Sequence, residues 1–208
     1  MNNRILIVDD HPVVTLAIRL LLASEGFDVV AEVDNGADAL EKVEALCPSI
    51  IILDIGIPVI DGLTVINRIV AKQLPVKIIV LTGLPPAHLV KRCRQLGAHG
   101  FVSKQNELAE VVYAVRAVRA HQEYFPDLCI VPVHGNQASR EHELLELLSG
   151  REFGVMQQLL LGMSNRAIAQ SMLLSDKTVS TYKTRLLHKL NVSDVVGLYA
   201  LAKRNGLV

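Results

Sequence analysis

The sequence has no tryptophan and only 4% aromatic residues, so its core must be filled by aliphatic side chains, which a hydrophobic content of 50% can supply. Cysteine is also scarce. Cys47, Cys93 and Cys129 are odd in number, widely spaced, and form no CxxC or Cys/His cluster. That argues against a disulfide framework or a thiolate zinc site and for packing thiols in a reducing compartment. No apolar run approaches the ~20 residues a membrane span needs. Asp9-Asp10 interrupt the first apolar stretch before it could act as a secretory signal. The expectation is a soluble, cytoplasmic chain with no membrane partner.

Net charge is zero over the 208 residues, but the zero is an average of unlike parts. Residues 1–121 carry 12 Lys/Arg against 13 Asp/Glu, residues 122–147 carry 1 against 5, and residues 148–208 carry 8 against 3. A basic segment at one end of a neutral chain points to a polyanionic partner for that segment alone.

Ile50 to Leu53 is a short, unbroken apolar run rich in β-branched residues, the pattern of a strand buried on both faces. It stops at Asp54. A lone aspartate after a strand often only caps a turn, so its meaning depends on what else converges there. Arg4–Val8 reads as a strand ending in Asp9-Asp10, Lys77–Leu81 as one ending in Thr82-Gly83, and Gly100–Ser103 as one ending in Lys104. Asp28–Glu32 is a fifth strand, and helical spacing predicts helices after Pro12, over 37–46, after Asp61-Gly62, from Pro86 to Leu96 and from Glu107 to Ala120. Strands alternating with helices predict an α/β, doubly wound, five-stranded parallel sheet, with the strand-terminal residues on one edge. Three carboxylates on that edge repel one another and require a cation. Oxygen ligands without His or Cys select a hard ion, Mg²⁺. A lysine and a hydroxyl nearby suit an anion arriving on a carboxylate, the equipment for phosphoryl transfer to aspartate. His11, beside Pro12 at a helix start, is expected to be exposed or behind the site.

Residues 1–121 resemble the response-regulator receiver domain, on Asp9-Asp10, Asp54, the Pro58-x-x-Asp61-Gly62 turn, Thr82, Phe101 and Lys104. The resemblance implies a flavodoxin-like fold in which Asp54 accepts phosphate from a sensor histidine kinase or phosphotransfer domain. It implies Mg²⁺ on Asp10, Asp54 and the Gly56 carbonyl, with Asp9 assisting through water. Lys104 and Thr82 would bind the phosphoryl oxygens, and Phe101 would repack as Thr82 moves. Two positions depart from the family pattern, Gly56 after the acceptor and Gln105 where a proline often follows the lysine.

Residues 122–147 read as a tether with some structure, in which Tyr124-Phe125-Pro126 packs the end of the last helix and residues 140–148 form a short amphipathic helix. From 148 to 208 the pattern is all-α, four helices. Ser149-x-x-Glu152 has the form of a capping box, Ser164 and Ser175 are further caps, and Gly162 is a stop. A tight pair of short helices, the second basic, is the helix-turn-helix pattern. At about 100° per residue Val179, Tyr182, Leu186 and Leu190 share a buried face. Lys177, Ser180, Thr181, Thr184, Arg185 and His188 share the other, where small hydroxyls and cations suit the major groove. Lys183 lies at the boundary, suited to phosphate, and Thr178 and Lys189 complete the expected DNA-binding set.

This segment resembles the LuxR/NarL (FixJ) family of DNA-binding domains, on Gly162-Met163-Ser164-Asn165, Ile168-Ala169, Ser175-x-x-Thr178-Val179 and Lys189-Leu190. The last helix, with Val195, Leu198, Tyr199 and Leu201, resembles the one such domains use for dimer contact. The whole chain is similar to the BvgA/EvgA type of regulator. The resemblance implies a homodimer at promoter DNA, with RNA polymerase as a further partner. Two other functions compete. An aspartyl-phosphate phosphotransferase would need an acid two positions after the nucleophile, where this chain has Gly56. A phosphorylation-independent DNA-binding protein with a vestigial receiver is countered by the intact acidic edge. The expectation is a regulator and not an enzyme with a separate substrate.

Overall fold

The computed structural model describes residues 3–83, 86–126, 141, 144, 145, 147–172, 174–205 and 207–208. It divides into two compact units, Met1–Leu128 and Cys129–Val208.

In the first unit, strands β1 (Arg4–Val8), β2 (Asp28–Val33), β3 (Ile50–Leu53), β4 (Lys77–Thr82) and β5 (Gly100–Ser103) alternate with helices. The helices are α1 (Pro12–Ser24), α2 (Gly36–Leu46), α3 (Gly62–Ala71), α4 (Pro86–Gln95) and α5 (Glu110–Arg119). Every strand pair is parallel, in the order β2-β1-β3-β4-β5. The strand side chains alternate strictly between two cores, which is why the apolar runs are unbroken. Leu6, Val8, Ile51, Leu53, Ile78, Val80 and Phe101 face α2, α3 and α4. Ile5, Ile7, Ile50, Ile52, Ile79, Leu81 and Val102 face α1 and α5. The strand order reverses between β1 and β3, so the crevice beyond their C-terminal ends is the topological switch point where such sheets bind ligands.

Two expectations change in detail. Helix α5 begins at Glu110, because Glu107–Ala109 form a turn whose carbonyls accept from the amides three residues on (Glu110 N–H to Glu107 O, 2.9 Å). Tyr124 does more than pack the helix end. It forms a parallel bridge to Gly100, its carbonyl accepting from Phe101 N–H at 2.7 Å and its amide donating to His99 O at 3.0 Å. The exit from this unit thereby covers the free edge of β5.

The second unit contains α6 (Gly150–Leu160), α7 (Asn165–Ser171), α8 (Asp176–Lys189) and α9 (Val195–Arg204). Serine caps act as the sequence predicts. Ser149 and Glu152 form the reciprocal capping box, Ser164 accepts from Ala167 N–H, and Ser175 accepts from Thr178 N–H. Gly162 has φ +76°, a left-handed stop. Phe153, Val155, Met156, Leu159, Ile168, Val179, Leu186, Leu190, Leu198 and Leu201 are buried. Of the expected helix at 140–148, Glu141, Leu144 and Leu145 are helical and most of the rest, with residues 130–135, lies outside the described residues.

Candidate functional site

The acidic edge is built by extending the sheet ladder one residue past each strand. Asp9 N–H donates to Val33 O at 3.0 Å, Asp54 N–H to Val8 O at 2.9 Å, and Lys104 N–H to Thr82 O at 2.8 Å. Side chains that were separate in sequence therefore stand side by side. Close packing beneath fixes their height. A Cβ on Gly62 would lie 2.4 Å from the Asp54 carbonyl oxygen, and one on Gly36 2.0 Å from the Ile60 carbonyl, so neither position admits a side chain. Asp61 caps α3 through Thr64 N–H (3.3 Å), and Gly62 N–H donates to the Ile55 carbonyl at 3.1 Å, which seats that turn just past β3.

Lys104 is the hub. Its Nζ lies 2.7 Å from Asp9 Oδ2 and 2.7 Å from Asp54 Oδ2. The other oxygen of Asp54 accepts from Gly56 N–H at 3.1 Å. Asp9, Asp54, Thr82 and Phe101 are all buried. Burial pushes the Asp9 carboxyl above its ordinary value and the Asp54 charge adds to that, against the pull of Lys104. Burial also acts to lower the Lys104 ammonium, but Asp54 and Asp9 outweigh it and hold it above the usual lysine value. One ammonium is shared by two carboxylates with Asp10 alongside, so the edge is short of positive charge.

Asp9, Asp10, His11 and Asp54 each place a ligand atom within 4.8 Å of the others. Three carboxylates dominate the set, which fits a hard divalent cation. His11 was expected to be exposed or behind the site, and it is exposed while leaning on the acidic pair. Its Nδ1 lies 2.9 Å from Asp10 Oδ1 and 3.1 Å from Asp9 Oδ1, with the side chain 57% exposed. Its signal was only adjacency to the acidic pair, since the α1 start turns it over the edge. Gly56 contributes its amide to Asp54 here.

On α8, Lys177, Ser180, Thr181, Thr184, Arg185 and His188 are exposed together, with Lys183 half-buried at their border. Thr181 and Thr184 donate their hydroxyls to the carbonyls of Lys177 (2.9 Å) and Ser180 (3.0 Å). Asn165 Nδ2 donates to Ser180 Oγ at 3.2 Å and ties α7 to this face. Thr178 is half-buried, its hydroxyl 2.8 Å from Ser175 Oγ in the cap. Lys189 stands apart from the set: its Nζ donates to Glu152 Oε2 at 2.6 Å and to Leu147 O at 3.1 Å. On α9, Leu198 and Leu201 are buried within the unit, and the outward apolar residues are Val196 (78% exposed) and Tyr199 (49%).

Residues 5–116 match the family model of the response regulator receiver domain, and residues 146–202 that of bacterial regulatory proteins of the luxR family. Over the full length of both chains, 208 residues, the sequence is 50% identical to the virulence-factor positive transcription regulator BvgA of Bordetella pertussis. It is 36% identical over 200 residues to the DNA-binding transcriptional activator EvgA of Escherichia coli, covering 96% of this chain and 97% of that one. Among solved structures, RcsB of Salmonella enterica serovar Typhimurium, bound to a promoter with a beryllium fluoride phosphomimetic, superposes with a TM-score of 0.59 at 26% identity, covering 100% of each chain. The chain belongs to the response regulators that join a receiver domain to a luxR-family regulatory domain.

Proposed function

We propose that this chain is a phosphorylation-switched transcription regulator: Asp54 accepts a phosphoryl group from a histidine kinase or phosphotransfer domain, and α8 reads promoter DNA. The observation that carries the first half is the shared ammonium, Lys104 Nζ at 2.7 Å from both Asp9 and Asp54. One Asp54 oxygen attacks the phosphorus of a phosphohistidine. The O–P bond forms as the P–N bond breaks, and the imidazole leaves with the electron pair. Lys104, already at the acceptor, meets the charge spreading onto the phosphoryl oxygens, and Thr82 at the end of β4 offers its hydroxyl beside it. A Mg²⁺ held by Asp9, Asp10, Asp54 and the Gly56 carbonyl would supply further positive charge to those oxygens. Phe101, buried on the next strand, repacks as Thr82 moves.

The second half is supported by the basic C-terminal unit, the exposed hydroxyl-bearing and cationic side chains of α8, and the promoter-bound RcsB structure that aligns over the whole chain. Lys177, Lys183 and Arg185 meet phosphates or base edges, and Ser180, Thr181, Thr184 and His188 lie over the groove. Val196 and Tyr199, outward on α9, form the contact of a homodimer at the promoter. RNA polymerase is the partner downstream.

Incubation with a small phosphodonor and Mg²⁺ should give an acid-stable, base-labile adduct on the wild type and none on Asp54→Ala. Genome-wide occupancy should fall in the same variant. An adduct that survives the substitution refutes the assignment of Asp54.

A further inference from the structure

The first turn of α6 holds two buried charged residues in succession, Arg151 and Glu152. Each reaches the C-terminal end of a different helix. Arg151 Nη1 donates to the carbonyl of Met172, the C-cap of α7, at 3.4 Å. Glu152 Oε2 accepts from Lys189 Nζ, on the last residue of α8, at 2.6 Å and from Ser149 N–H at 2.8 Å. Its carboxylate is 4% exposed and the Lys189 side chain 38%. The same ammonium donates to the Leu147 carbonyl at 3.1 Å, fastening the chain that leads into α6.

From this geometry we infer that Glu152 and Lys189 are positioning residues for DNA recognition: their ion pair fixes the angle at which α8 is presented, and Lys189 does not contact DNA. The inference rests on the reading of α8 as the DNA-reading helix. Burying a carboxylate is costly and an apolar pair would hold helices together as well. What the pair adds is a single register, since the capping box fixes where the Glu152 oxygen stands and Lys189 must meet it there. Its ammonium has two internal acceptors and little need of a phosphate.

The test compares full-length wild type, Glu152→Gln, Lys189→Met and the double variant, measuring DNA affinity over a range of salt. Glutamine keeps the acceptor that caps α6 and removes only the charge, and helical melting reports whether each variant is folded. Removing an acidic residue leaves the unit more positive, so a purely electrostatic account predicts equal or tighter binding. If α8 is released to orientations of which roughly a tenth are competent, both single variants lose about tenfold in affinity. The salt dependence keeps its slope, and the double variant is no worse than the weaker single one. Lys189→Arg, which can still reach Glu152, restores affinity. The inference is overturned if Glu152→Gln binds DNA as well as wild type, or if Lys189→Met flattens the slope by about one phosphate contact. Failure of the wild type itself to bind DNA would instead refute the reading of α8.

Discussion

Both units place a lysine ammonium on a buried carboxylate, and the two pairs are built for opposite ends. At the receiver edge one ammonium serves Asp9 and Asp54, with Asp10 and His11 crowding the same corner. In the C-terminal unit one ammonium has one carboxylate and a backbone carbonyl, and that carboxylate is further satisfied by the Ser149 amide. The first arrangement is short of positive charge and sits where strands end, a corner whose ligand atoms fit a hard divalent cation. The second is closed. A buried ion pair is thus not itself the mark of a reactive site. What separates the two is the balance of charge around the lysine.

The strongest test of that contrast is removal of each lysine. Lys104→Met should slow transfer from a small phosphodonor by on the order of a hundredfold, the usual loss when a preorganised donor is taken from developing negative charge. It should also tighten Mg²⁺ binding, because a competing cation has left two carboxylates; titration calorimetry reads this. Weaker Mg²⁺ binding in the variant would mean that the ammonium organises the edge rather than competing at it. Lys189→Met should leave both quantities unchanged.

Backbone support differs between the units in the same sense. At Gly62 a methyl group meets the Asp54 carbonyl at 2.4 Å and the Ile55 Cα at 2.7 Å, atoms that cannot move without shifting Asp54. Gly62→Ala should cost roughly 1–3 kcal/mol in urea unfolding and lower the adduct yield as well. Gly162 has open space around it but φ +76°, so Gly162→Ala should cost about 1 kcal/mol from the left-handed backbone alone. Equal effects of the two substitutions on the adduct would contradict the placing of Gly62 beneath the site.

The sheet and the acidic edge were legible because their signals are local. Each strand is an apolar run that ends in the residue that matters, and a parallel sheet brings those ends together without any further information. The serine caps were legible for the same reason, being fixed spacings within one helical turn. The bridge from Tyr124 to Gly100 was not, since it depends on β5 having a free edge, a property of the strand order rather than of residues 122–126. Nor was the occupation of Lys189. On a helical wheel it falls about 20° from Tyr182, at the border of the buried face, and only the packing of α6 against α8 brings Glu152, 37 residues earlier in sequence, to its ammonium. His11 was read correctly as exposed or behind the site; what the sequence did not show is that its own amide donates to Asp9 Oδ1 at 3.0 Å as the backbone turns into α1.

The smallest effect expected is also the most specific to the closed pair. Burial acts to raise the Glu152 carboxyl, but the hydrogen bond from Lys189 and those at Ser149 outweigh it and hold it below the ordinary 4.5. A carboxylate lowered on folding binds fewer protons in the native state than in the unfolded one between those two values, so stability rises with pH across that window. The contribution is complete above 4.5 and disappears as the pH falls through the folded value. Glutamine has nothing to titrate. The gap in urea midpoint between wild type and Glu152→Gln should therefore be constant from neutral pH down to about 5, then close on further acidification. A gap that persists unchanged into acid would mean that the substitution disturbs packing and that the charge on Glu152 contributes nothing to holding α8.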